Sequence, residues 1–265
     1  MLRRDDVSRT ARLVAACRAL DARLPDGERM IARRDEHAAG LAGDEAMAHA
    51  ASLPALVSGI ALRTRWLDDR IEAFAGTQVV LVGAGLDTRA HRLARRGVRF
   101  FEVDLPGMLE YKRASLGEPD GVSYAAADLR HERVAEVLAA HPAWVARTPT
   151  CVVWEGVSYY LPAEAVAAAL EDFRGLIEPD GVLLFDFVLS RWLTAAHRAS
   201  PEVVAQVARW GEPMIHGFTD ARADLAAHGL ELVEDVGVEE LLPRYGRPAA
   251  SERWYAGRMA AARAP

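Results

Sequence analysis

Five short apolar runs between residues 78 and 188 constrain this chain more than any other feature. They are Gln78–Val82, Arg99–Asp104, Val122–Ala125, Thr150–Trp154 and Val182–Val188, each followed by a stretch with helical spacing. The helical partners are expected at Asp87–Arg96, Gly107–Leu116, Arg133–His141 and Ala163–Ile177. Strands alternating with helices of this length require right-handed crossovers and a mostly parallel sheet covered on both faces. Two closing strands are expected at Leu230–Val236 and Trp254–Ala260. Ahead of residue 77 the chain reads as helix, with Leu13, Ala16, Leu20 and Leu24 at three- and four-residue spacing.

With 265 residues, 51% hydrophobic and 26% charged, the chain has the composition of one folded globular unit. Its net charge of −6 supplies no cationic field for nucleic acid or an anionic membrane. No apolar run approaches the ~18 residues of a spanning helix. Cys17 and Cys151 stand alone, without the spacing of a metal site or disulfide framework, so a reducing, cytoplasmic location is expected.

Four strand ends carry the candidate chemistry. Gly83-Ala84-Gly85 follows the first strand and opens a helix, a turn that brings backbone N–H groups to a ligand. A dinucleotide fingerprint would need a third glycine where this chain has Thr88. Asp104, with Leu105 after it, ends the second strand 21 residues beyond Gly83, the position from which an acid accepts ribose hydroxyls. The alternative is a helix cap ahead of Pro106. Glu102 is expected to be a buried hydrogen-bonding partner. Asp128 and Leu129 suit an adenine ring, though Asp128 could instead cap a helix starting near His131. Glu155 and Gly156 end the fourth strand, where open parallel sheets bind ligands. Arg63 and Arg65, ahead of the first strand, would by composition be a solvated face paired with Asp68 and Asp69.

Together Arg63–Asp69, Val82–Leu93, Phe101–Pro106 with Lys112, Ala127–Arg130 and Glu155–Leu161 resemble the leucine carboxyl methyltransferase family. The nearest pattern is its bacterial polyketide O-methyltransferase (tetracenomycin carboxyl methyltransferase-like) branch. The resemblance covers about residues 8–190 and is looser through Gly211–Pro213. It implies a Rossmann-like α/β fold of the class I methyltransferases, with a seven-stranded mostly parallel sheet. An N-terminal helical cap (1–76) and a core (77–265) with a substrate-covering insertion near 190–220 would complete it.

The resemblance also implies S-adenosylmethionine as cofactor. Arg63 would hold its methionine carboxylate and Gly83 would lie against the methionine portion, in a turn shared with Ala84 and Gly85. Asp104 would take the ribose, Asp128 and Leu129 the adenine, and Glu155 the amino end. Arg18 is the candidate for a second basic residue reaching the carboxylate. The acceptor is expected to be a small anionic or aromatic molecule methylated on a carboxylate or hydroxyl. Candidates for catalysis are His197, His216, Tyr160 and Arg191, with Tyr159, Trp192, Trp210 and Phe218 as further wall residues. Two rival functions are a nicotinamide oxidoreductase, for which no Tyr-x-x-x-Lys pair exists, and a donor-binding protein without methyl transfer.

Overall fold

A computed structural model describes residues 7–194, 201–246 and 257–265. One sheet holds seven strands in the order β3-β2-β1-β4-β5-β7-β6. These are β1 (Gln78–Val82), β2 (Arg99–Asp104), β3 (Val122–Ala126), β4 (Thr150–Trp154), β5 (Val182–Val188), β6 (Glu231–Gly237) and β7 (Gly257–Arg263). β1 to β5 pair in parallel, and β7 runs antiparallel to both β5 and β6. The strand order reverses between β1 and β4, which leaves a crevice beyond their carboxyl ends.

Period-two alternation sorts the strand residues onto two apolar layers. Val80, Val82, Phe101, Val152, Trp154, Phe185 and Phe187 face the layer under α7 (Val134–Ala139), α8 (Ala163–Leu176) and α10 (Ala221–Ala226). Val79, Leu81, Cys151, Val153 and Leu184 face the layer under α4 (Pro54–Ala73) and α11 (Val238–Arg244). α4 begins with Pro54 in its first turn and buries Leu62, Trp66, Leu67 and Ile71 against the sheet.

A third apolar cluster joins α1 (Arg9–Ala22), α2 (Ala38–Ala42) and α3 (Asp44–Ala51) to Ile60, Leu86 and Met108. α1 therefore lies over the loop that follows β1 and the helix α6 (Pro106–Leu116) that follows β2. The segment after β5 leaves and returns at one place: Ser190 donates to Phe218 O at 2.8 Å and Phe218 to Val188 O at 2.9 Å. Within it, α9 spans Pro201–Arg209. Among the described residues no single helix is long and apolar enough to cross a membrane.

The helix expected at Asp87–Arg96 is much shorter, α5 (Arg89–Arg92). Arg89 and Arg92 are drawn into ion pairs with Asp68 on α4. Arg95 turns back to donate to the carbonyls of Ile71, Glu72 and Phe74 at the end of α4. These tertiary bonds outbid continuation of the helix. The last strand is described over Gly257–Arg263 and runs past the expected end at Ala260; residues 254–256 of the expected strand lie outside the described residues.

Candidate active site

The crevice is a cavity of about 670 Å³. Its lining includes all eleven residues expected to hold the cofactor: Arg18, Arg63, Gly83, Ala84, Gly85, Asp104, Leu105, Asp128, Leu129, Glu155 and Gly156. They come from helices α1 and α4 and from the ends of four strands.

The turn after β1 is locked to the neighbouring strand, because Gly83 and Ala84 both donate to Val103 O, at 2.8 and 3.1 Å. Gly83 has φ +67°, and a Cβ there would lie 2.3 Å from Val157 Cγ2. Only glycine fits both the left-handed backbone and the close approach of the segment after β4. Asp104 Oδ2 accepts from Gly85 N at 2.5 Å and Oδ1 from Leu105 N at 2.6 Å. Desolvation outweighs these amides and pushes its carboxyl above the usual range. The helix cap proper is Leu105, with Pro106 in the first turn, so Asp104 does not cap α6. A carboxylate offers about four lone-pair sites. Two are taken by these amides, and Asp104 lines the cavity.

Asp128 does not cap a helix at His131. α7 starts at Val134, and the amide of Ala135 in its first turn is taken by Asp172 at 3.2 Å. Asp128 instead accepts from the amide and guanidinium of Arg130, which holds its carboxyl below the usual range. Glu102 is buried as expected, with its carboxylate 2.7 Å from the ammonium of Lys112, which is also buried. Desolvation pushes Glu102 up to about 7 despite Lys112.

On the opposite wall, the solvated-face reading of the helix before β1 holds for Arg65, which pairs with Asp69 at 2.7 Å, and fails for Arg63 and Asp68. Arg63 is buried, with Nε 2.7 Å from Glu155 Oε1 and Nη1 2.7 Å from Asp186 Oδ2. The second oxygen of Glu155 pairs with Arg89, whose guanidinium also meets Asp68 and Asp87 at 2.7 and 2.5 Å. Arg18 donates to Asp35 at 3.1 Å and to Leu86 O at 2.6 Å.

Thr88 sits where a dinucleotide fingerprint has its third glycine. It donates to Asp35 at 2.7 Å and accepts from Arg92 at 3.0 Å, tying α5 to the loop before α2. Burial alone would raise Glu155 and Asp87. The surrounding arginines, Arg63 then Arg89 for Glu155 and Arg89 then Arg18 for Asp87, hold both below the usual range.

The acceptor candidates fare differently. Tyr160 lines the cavity, and burial followed by the field of Glu212 raises its phenol. Arg191 is exposed in a turn and His216 packs edge-on against Phe218; neither lines the cavity. His197 lies outside the described residues. Of the proposed aromatic wall only Tyr160 reaches the cavity. Tyr159 sits behind Arg63, Trp192 is absent from the lining, Trp210 stacks on His49, and Phe218 packs with Phe185 and Phe187.

Gly211, Glu212, Pro213 and Ile215 form the remaining rim. The Glu212 carboxylate accepts from Ser8 Oγ at 2.8 Å and Arg9 N at 3.1 Å, at the N-terminus of α1. The sequence reading missed Asp87, Arg89, Asp186 and Glu212. Asp87 and Arg89 lie in Val82–Leu93 and Glu212 in Gly211–Pro213, stretches that carried the resemblance without a role for these residues. Asp186 showed as a charge inside an apolar strand-forming run.

The sheet order, the glycine turn after β1 and the acid closing β2 define a Rossmann-like fold of the class I methyltransferases. The leucine carboxyl methyltransferase family profile matches residues 11–174. A Frankia alni protein, provisionally named an S-adenosyl-L-methionine-dependent methyltransferase, is 36% identical over 197 residues, spanning 71% of this chain and 68% of the relative. A Streptomyces coelicolor protein with the same provisional name is 40% identical over 126 residues, or 44% of each chain. A solved Thermobifida fusca structure, provisionally a methyltransferase, shares the fold with TM-score 0.62 and 20% identity over 96% of this chain and 94% of that one. The chain belongs to the leucine carboxyl methyltransferase family, and it is a methyltransferase.

Proposed function

We propose that the chain transfers a methyl group from S-adenosylmethionine to the carboxylate of a small acceptor. The observation that carries the donor is the gathering of Arg18, Arg63, the Gly83–Gly85 turn, Asp104, Asp128, Leu129 and Glu155 around one cavity. The donor is S-adenosylmethionine, the molecule named for the Frankia alni relative, and the residues present fit it. Gly83 lines the cavity and projects no side chain toward the donor's chain, Asp104 has lone pairs left for ribose hydroxyls, and Leu129 offers an apolar contact for the base. Bound there, the donor supplies an electrophilic methyl on a sulfonium that departs as a neutral thioether. Arg63 and Glu155 bind the two charges of the methionine end. α1 and the rim at Gly211–Ile215 form part of the cavity wall, so a bound donor and acceptor displace water from it. Alignment and desolvation of this kind can supply roughly 7–11 kcal/mol of barrier reduction.

A carboxylate acceptor is favoured over a hydroxyl because it is ionised at neutral pH and needs no base. Tyr160 keeps its proton, since burial raises its phenol, and Glu212 is already engaged by Ser8 and Arg9. Incubating the protein with S-adenosylmethionine and paired panels of carboxylic and phenolic acceptors, read by mass spectrometry, tests this. Products should be esters cleaved by mild alkali; alkali-stable ethers formed from phenols would overturn the carboxylate assignment.

A further inference from the structure

Asp186 is buried in the middle of the sheet, on β5, where its neighbours Phe185 and Phe187 face the other layer. Alternation turns its side chain to the α4 side, and there it meets three groups. Oδ2 is 2.7 Å from Arg63 Nη1 and accepts from Tyr159 OH at 3.3 Å, while Oδ1 accepts from Gly156 N at 2.6 Å. Its main-chain oxygen accepts from Ser158 Oγ at 3.3 Å. One aspartate thus fixes both the guanidinium of Arg63 and the turn Gly156–Tyr159 that follows Glu155. A buried carboxylate in a central strand is costly unless it is paired. Asp186 does not line the cavity, whereas Arg63, Glu155 and Gly156 do.

We infer that Asp186 is a positioning residue for the methionine end of the donor. It holds Arg63 in the orientation that meets a carboxylate and holds the Gly156 amide that sets the tip of β4. This rests on the donor reading above and adds a specific consequence. The strength of the amino-acid end, and not that of the nucleoside end, depends on a residue that touches neither.

The test compares two ligands. S-adenosylhomocysteine carries the amino-acid end, and 5′-methylthioadenosine keeps the nucleoside and thioether without it. In Asp186→Asn, calorimetry should show S-adenosylhomocysteine weakened by about tenfold or more, because a charge-assisted contact is mis-set. The 5′-methylthioadenosine affinity should change by less than about twofold, within the noise of a neutral contact. Tyr159→Phe leaves the ion pair in place and removes the hydroxyl beside it. It should weaken S-adenosylhomocysteine alone by about threefold, the size of one neutral hydrogen bond, and it decides the matter if Asp186→Asn does not fold. Equal losses for both ligands, or no loss in Tyr159→Phe when the first variant is unfolded, would overturn the inference and leave the donor reading standing. Failure of the wild-type protein to bind either ligand would overturn both.

Discussion

The two walls of the cavity hold their acids in opposite ways. On the nucleoside wall, Asp104 and Asp128 are held by groups one or two residues away or, for Gly85, by the adjoining strand tip. On the methionine wall, Glu155, and Asp186 behind it, are held by the guanidinium of Arg63, 92 and 123 residues distant along the chain. Backbone amides are supplied by any turn, so the first wall is built locally and tolerates loss of a side chain. The second is a buried network in which each charge offsets another's desolvation, and removing one leaves its partners unpaired.

The largest expected effect sharpens that contrast. Arg63→Ala should cost ~3–5 kcal/mol of stability by denaturant unfolding, because Glu155 and Asp186 lose their shared cation. Donor affinity by calorimetry should fall by ~2–5 kcal/mol. Arg65→Ala, on the same helix but paired with Asp69 at the surface, should cost less than ~1 kcal/mol in either measurement. Similar small values for both variants would erase the difference between the walls.

The next prediction concerns pH. Glu102 stands at about 7 in the folded protein against an ordinary 4.5, so between those values the folded state holds a proton that the unfolded chain has released. The Glu102 contribution to stability should therefore fall as pH rises through that window, by an amount on the order of 1–3 kcal/mol. His91, lowered to about 4 by burial, contributes in the opposite sense below its ordinary 6.5. Glu102→Gln should remove the Glu102 contribution and leave those of Asp104 and Asp186, which burial also raises. Glu155 and Asp87 are shifted down, so their stabilising contributions are lost only below the ordinary carboxylate range and do not overlap it. A difference in urea midpoint between the wild type and Glu102→Gln that stays constant between about pH 5 and 7.5 would refute the shift.

Smaller effects belong to the nucleoside wall. Asp104→Ala should weaken donor binding by ~1.5–3 kcal/mol while the fold is retained, since the amides of Gly85 and Leu105 can turn to water. Unchanged affinity in a folded variant would reduce Asp104 to a tie between two turns. Asp128→Ala should cost under ~1 kcal/mol, because its present partner is the exposed Arg130. A larger loss would place Asp128 with the buried acids.

The limits of Gln78–Val82, Arg99–Asp104, Thr150–Trp154 and Val182–Val188 were legible as apolar runs because each of these strands is covered on both faces. The glycine turn and Asp104 were legible too, since the conformation they need restricts residue type within a few positions. Arg89 and Asp87 were hidden, because a helix pattern records which face is apolar and not which arginine is drawn inward.

Sequence alone therefore determined the sheet, the turn after β1 and the acids at the strand ends, all of which follow from rules acting over a few residues. Only the tertiary structure decided that Arg63 is fully buried while Arg65 is half-exposed, although the two lie two residues apart on α4. The reason is geometric: a helix turns 100° per residue, so positions two apart face nearly opposite ways. Which of them meets Glu155 and Asp186 is set by how α4 rolls on the sheet as Trp66 and Leu67 find their places in its apolar layer.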